Sequence, residues 1–190
     1  IAIGTELAEV DLWRDHLGNT APLVRVDIDP HALTDWHRSE VGVLGDAGAF
    51  VEGLATALAG HQPAKGWTAE EVAKERAKSV AEVDADRPGI VRIIASMQDC
   101  LPADTTFYSD MTQFAYVGKE VYNLNAPNLW HHPTGFGTLG YALPAAIGGK
   151  IGLGAAPVVA MLGDYGFHYT MQELGVAVEL GLSLPIILWD

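Results

Sequence analysis

From Pro157 to Asp190 the chain reads PVVAMLGDYGFHYTMQELGVAVELGLSLPIILWD, and no other stretch narrows the choice of architecture so far. Val158 to Leu162 is a short continuous apolar run with β-branched members, the pattern of a strand buried on both faces of a parallel sheet. Gly163, Asp164, Tyr165 and Gly166 break it. From Thr170 onward, Met171, Leu174, Val178 and Leu182 recur at helical spacing, with Thr170 as the expected N-cap and Glu173 completing a capping box. Gly181 stands where such a helix should stop, and Pro185 to Trp189 forms a second apolar run. The unit reads βαβ, with its first loop at the carboxyl end of a strand. Ligands of open α/β sheets collect at that edge.

That loop places a carboxylate, Asp164, directly after a strand and next to glycines whose N–H groups can face an anion. An anion beside a carboxylate suggests a bridging divalent ion. Phosphate oxygens with one Asp suit Mg²⁺, which keeps water and takes only one or two protein carboxylates. On this local pattern alone, Asp164 as a plain turn residue stays open, since Gly-Asp is common at strand ends.

The rest of the chain is consistent with an α/β protein. A net charge of −13 over 190 residues argues against nucleic acid as a partner. No apolar run is long enough to span a bilayer. Ile1 to Ile3 reads as a strand without a basic leader, which leads to the expectation of a fragment rather than a secreted chain. The single Cys100 excludes an intrachain disulfide and fits a reducing cytoplasm; its expected place is the core near a strand end.

Strands are expected at Ile1 to Ile3, Leu23 to Ile28 and Val41 to Leu44, then a helix from Ala47 to Leu58 capped by Asp46. Asp27 and Asp29 end a strand, where an acid could hold a ribose hydroxyl. Without a glycine-rich fingerprint before them, a solvated turn is the preferred reading. His61 to Gly66 is the expected domain boundary, followed by a polar helix capped by Thr68. Ile90 to Met97 fits a helix before the next strand. That strand, Thr105 to Asp110, again ends in a carboxylate; Asp110 reads equally as the N-cap of the following helix or as a cofactor contact.

Thr134 to Gly148, TGFGTLGYALPAAIG, alternates glycines with apolar residues and leads into a helix from Ala142 to Ile151. Small residues let a backbone or a flat ligand approach closely. The adjacent His131 and His132 lack the i, i+4 spacing of a helical metal pair and are expected to be solvated or substrate-facing. Trp130 and Tyr169 are expected to pack.

Taken together, Gly163-Asp164-Tyr165-Gly166-Phe167, Asp110-Met111-Thr112-Gln113 and Gly137-Thr138-Leu139-Gly140 with Leu143-Pro144-Ala145-Ala146-Ile147-Gly148 resemble, in order and separation, the thiamine diphosphate (ThDP) enzymes of the acetolactate synthase and benzoylformate decarboxylase type. The resemblance implies an α/β fold: a parallel-sheet diphosphate-binding domain over 85–190, truncated at its C-terminus, preceded by the end of an α/β middle domain over 1–60 and a linker with a polar helix over 61–84. It implies Asp164 as Mg²⁺ ligand. By the same resemblance Gly163, Tyr165 and Gly166 would form the diphosphate cradle, Gln113 would lie near the diphosphate, and Gly137, Thr138 and Leu139 would hold the reactive rings, with Leu139 beneath the thiazolium.

Two positions depart from the family pattern. Tyr165 replaces the second glycine of the usual triplet, and Phe114 stands where histidine is frequent. The closing Asn of the motif is expected beyond Asp190. No catalytic residue is expected in this chain, because the family's glutamate lies on an N-terminal pyrimidine-binding domain. The implied function is decarboxylation or carboligation of a 2-oxo acid in a cytoplasmic homodimer or homotetramer. FAD in the middle domain is possible in this family but not indicated here. The competing expectation is a noncatalytic α/β module for nucleotide binding or assembly, since doubly wound sheets host many functions.

Overall fold

The computed structural model describes residues 1–8, 12, 16–62 and 66–190. The chain divides into two compact units, Ile1–Gly66 and Trp67–Asp190. Pro63, Ala64 and Lys65 of the expected boundary lie outside the described residues.

The first unit holds a parallel sheet in the order β1 (Ala2–Ile3), β2 (Val24–Asp27), β3 (Val41–Leu44), followed by α1 (Ala47–Ala57). Asp46 caps α1, accepting from Ala49 N–H at 2.8 Å. On β2 the buried Arg25 guanidinium lies 2.5 Å from Asp35 and also donates to the Thr5 and His37 carbonyls, so its charge is neutralised where it is shielded from water. That guanidinium also holds the Asp35 carboxyl below its ordinary pKa. Asp27 and Asp29 accept from the backbone amides of Asp29 and His31, each at 2.9 Å. These are local turn bonds of the kind Asp makes at strand ends.

The second unit opens with α2 (Ala69–Asp86), where Thr68 and Glu71 form a reciprocal capping box, then α3 (Ile90–Cys100). Four parallel strands follow in the spatial order β5 (Trp130–His131), β4 (Thr106–Ser109), β6 (Val158–Gly163), β7 (Ile186–Trp189). The chain runs from β4 through α4 (Gln113–Val121) to β5 on one side. It returns through α5 (Ala142–Leu153) to β6 on the other.

Side chains on β6 alternate between two cores, as the pleat requires. Val159 and Met161 join Phe107, Ile90, Ile94, Phe114 and Val117, with Val80 and Val83 of α2 packed against them. Val158, Ala160 and Leu162 face Leu143, Ala146 and Ile147 of α5. With both faces covered, the strand has to be apolar throughout, which is why it is legible as a continuous run.

Three expectations are corrected. The helix after β6 does not start at Thr170: α6 (Asp164–Thr170) begins at the carboxylate itself, passes through a 3₁₀ turn at Met171–Glu173 and continues as α7 (Leu174–Glu179). Thr170 makes no capping bond with its side chain, and the fold accepts two glycine-rich positions as the start of a helix because neighbouring segments press against them. Gly181, with φ +61°, does follow the end of α7. Cys100 is not in the core; it is exposed on the last residue of α3. Tyr169 is 61% exposed rather than packed.

Phe107 sits at 0% exposure between Trp130 and Tyr122, each ring centroid 5.0 Å away. Phe107→Ala should therefore lower the unfolding free energy by about 3–5 kcal/mol, read as a drop in the urea midpoint at unchanged slope.

Candidate functional site

Because the two strands that follow β4 in the chain, β5 and β6, lie on opposite sides of it, the sheet has its topological switch point between β4 and β6. A crevice opens there at the carboxyl ends of the strands. Three segments meet at it: the turn after β4 (Asp110 to Gln113), the glycine turn before α5 (Gly135 to Gly140) and the start of α6 (Gly163 to Gly166).

Asp110 binds these segments together. It is fully buried, and its Oδ1 accepts from Ala142 N–H at 2.8 Å while Oδ2 accepts from Gly140 N–H at 3.0 Å. Burial pushes its carboxyl above the ordinary range, and hydrogen bonds from the Ala142, Gly140 and Tyr141 amides oppose that shift. It is not the N-cap of α4, a position taken by Thr112; it satisfies amides at the start of α5, across the crevice. A Cβ on Gly166 would overlap Asp110 Oδ2, and Gly140, at φ +82°, would bring a Cβ 3.1 Å from Tyr169 and Thr170. Both glycines are needed because backbone lies directly on a buried carboxylate and on a neighbouring turn.

The remaining expected residues stand around this clamp. Gln113 is exposed at the first position of α4. Gly137 turns at φ +60°, its N–H donating to the Pro133 carbonyl at 3.0 Å, and Thr138 is exposed beside it. Leu139 keeps 41% of its surface exposed and Phe136 98%, so the glycine turn presents apolar side chains at the crevice edge. A Cβ on Gly163 would lie 3.5 Å from Thr112, which brings the β4 and β6 turns side by side.

Asp164, the first residue of α6, is half-buried, and among the described residues its carboxylate has no hydrogen-bond or ion-pair partner. The first-turn amides of α6, from Asp164 to Gly166, have no carbonyl acceptor within their own helix. Tyr165 is 70% exposed and lies in the first turn of α6, so its ring does not fill the turn. Among the described residues no group of three His, Cys, Asp or Glu could hold a metal. A single free carboxylate beside anion-facing amides is, by its chemistry, a donor set for Mg²⁺ completed by phosphate oxygens and water. The residues present thus fit a magnesium-bound diphosphate.

Ser109, which the sequence pattern left unassigned, and the two adjacent histidines have defined partners. Ser109, buried at the end of β4, accepts Trp130 Nε1–H at 2.9 Å and lies 2.8 Å from His132 Nδ1. His131 stacks on Tyr108 with ring centroids 4.6 Å apart. Both imidazoles are half-buried, and they make separate contacts on opposite sides of the chain. Strand β5 is only two residues long and carries no apolar run, so nothing in its sequence announces the pairing with β4 that separates the two imidazoles.

A doubly wound parallel sheet whose glycine turns and strand-end carboxylates converge on the switch point defines an α/β domain with its binding edge at β4 and β6. Residues 110–190 match the family described as thiamine pyrophosphate enzyme, C-terminal TPP binding domain. Over its whole length the chain is 42% identical to a "Probable 2-ketoarginine decarboxylase" of Pseudomonas aeruginosa, of which it covers 34%. It is 26% identical to the acetolactate synthase isozyme 3 large subunit of Escherichia coli, over 88% of the chain and 30% of that protein. An acetolactate synthase of Mycobacterium bovis is also 26% identical, over 99% of the chain and 32% of that protein. The chain belongs to the thiamine diphosphate-dependent enzyme family, and it spans about a third of the length of the curated relatives it matches.

Two outcomes follow from the geometry. Gly166→Ala should displace Asp110 from the Gly140 amide and cost about 1–3 kcal/mol in a urea titration. His132 is held down to a pKa of about 4 by burial and then by the charge of Lys119, against 6.5 when unfolded. Between those values the unfolded chain takes up a proton that the folded chain does not, so stability falls as pH drops through the window. The urea midpoint of His132→Gln should vary less between pH 6.5 and about 4 than that of the wild type.

Proposed function

We propose that this chain forms the diphosphate-binding part of an enzyme that decarboxylates a 2-oxo acid with ThDP and Mg²⁺. The observation that carries the reading is the convergence of the Asp164 carboxylate, which has no partner among the described residues, the α6 first-turn amides and the glycine turn at one switch point. Decarboxylation is preferred to carboligation because identity is 42% to the decarboxylase against 26% to the acetolactate synthases.

On this reading Asp164 gives one oxygen to Mg²⁺, and the amides of Asp164, Tyr165 and Gly166 donate to the diphosphate beside Gly163. Gln113, at the exposed N-terminus of α4, adds a side-chain contact. The carbonyl of Gly137 and the backbone at Thr138 orient the ring system, and Leu139 supports it from below with apolar surface that stays exposed in the chain alone. When bound, ThDP supplies the electron sink for the carbanion left by loss of CO₂. Residues of this chain bind, orient and exclude water on one wall only, which favours a cofactor held between two subunits of a homodimer or homotetramer.

The test is calorimetric titration of the complete protein with ThDP. Binding should need Mg²⁺, and Asp164→Ala should weaken it at least tenfold, about 1.4 kcal/mol. Affinity unchanged by the mutation or by chelation would refute the assignment. Leu139→Ala should lower turnover more than ThDP affinity, since the diphosphate anchor remains. Release of CO₂ from 2-ketoarginine or another 2-oxo acid without a ligated product is the expected reaction; formation of an acetolactate-type product would place the protein with the synthases instead.

A further inference from the structure

The turn from His132 to Tyr141, which carries the Gly137 carbonyl and Leu139, has little of its own to hold it in one shape. Gly137 and Gly140 stand at positive φ, and residues 134–139 are all exposed, so packing of its own side chains does not set its course. Its internal bonds are short-range, from Thr134 N–H to the His132 carbonyl at 2.9 Å and from Gly137 N–H to the Pro133 carbonyl at 3.0 Å. Where the turn stands is therefore decided at its two ends. The exit is held by Asp110 through the Gly140 and Ala142 amides. The strand pairing that leads to the entry stops at Tyr108 and His131, and from there His132 is reached by a side chain.

That side chain is Ser109, fully buried at the end of β4 and directly before Asp110. Its hydroxyl accepts Trp130 Nε1–H at 2.9 Å and lies 2.8 Å from His132 Nδ1 and 3.4 Å from the His131 carbonyl. A hydroxyl has one hydrogen to give and two lone pairs, so it bonds both rings with either tautomer of His132. With the ring proton on Nε2 the serine donates to Nδ1; with it on Nδ1 the serine accepts it and turns its own hydrogen to the His131 carbonyl. The two rings are themselves packed. Trp130 stands 5.0 Å from Phe107 between centroids, and a Cβ on Gly118 of α4 would come within 2.6 Å of its indole. Tyr116 of α4 meets the His132 imidazole edge-on at 6.0 Å. Two consecutive residues at one strand end thus tie down both ends of the turn.

We propose that Ser109 is a positioning residue for the cofactor's ring system: with Asp110 it fixes the turn so that the Gly137 carbonyl and Leu139 stand in place before a ligand arrives. The proposal rests on the ThDP reading above and divides that site in two, because the diphosphate half at the start of α6 rests against Asp110 instead. Its test is calorimetry on the complete protein with Mg²⁺, comparing ThDP with inorganic diphosphate. Ser109→Ala should weaken ThDP about tenfold while diphosphate affinity changes by less than about twofold. In the cofactor-free protein, amide hydrogen exchange at Gly137 should rise about tenfold in the same variant, with Gly140 and Ala142 still protected. ThDP and diphosphate weakened alike, ThDP affinity unchanged, or exchange at Gly137 unchanged would each overturn the proposal and leave the cofactor reading standing. A wild type that binds ThDP no better than diphosphate would overturn both. Should Ser109→Ala lose its fold by circular dichroism, His132→Ala, which removes the entry bond and keeps the serine, has to show the same split between the two ligands.

Discussion

The carboxylate of Asp110 is the interaction on which the arrangement of the second unit depends. It is removed from water, satisfied by backbone amides across the crevice, and pressed against a glycine that cannot be enlarged. A buried acid without those donors would cost several kcal/mol and would respond by taking up a proton. With them it behaves as a pin through three chain segments that are distant in sequence. The glycine turn, the start of α5 and the start of α6 owe their mutual placement to this one group, and the fitness of Asp164 and Leu139 for their proposed roles follows from it.

The pin also explains why the edge can be built from weak local structure. Gly163 to Gly166 has poor helix propensity, yet it opens a helix because Asp110 and the Gly140 turn leave no room for a looser course. In the same way α5 starts without a side-chain cap of its own and draws its donor satisfaction from a residue thirty-two positions earlier. Local sequence is subordinate here to a tertiary contact.

That hierarchy accounts for what could be read before the fold was known. Val158 to Leu162 was legible because a strand covered on both faces must be apolar at every position, and Thr68 with Glu71 because a capping box is a contact between near neighbours. The family itself was legible from the spacing of its glycine and Asp motifs, and the match over 110–190 bears that out. Hidden were the start of α6, the true partner of Asp110, the strand at Trp130–His131 and the surroundings of Ser109. Each rests on contacts made across the sheet or crevice, where periodicity and propensity carry no information. Cys100 was misplaced for the converse reason: its composition suits a core, but its position at a helix end does not.

The two residues that follow Asp164 live under opposite rules. Tyr165 extends into solvent and asks only that its own backbone stay on course, while Gly166 has a carboxylate where a side chain would have to go. A lineage can therefore decorate the first of these positions without disturbing the turn, and drift there leaves the architecture intact. It has no such freedom at the second unless Asp110 changes in step. The turn is a shape held by a pair of residues, and the letters written along it can vary wherever that pair is respected.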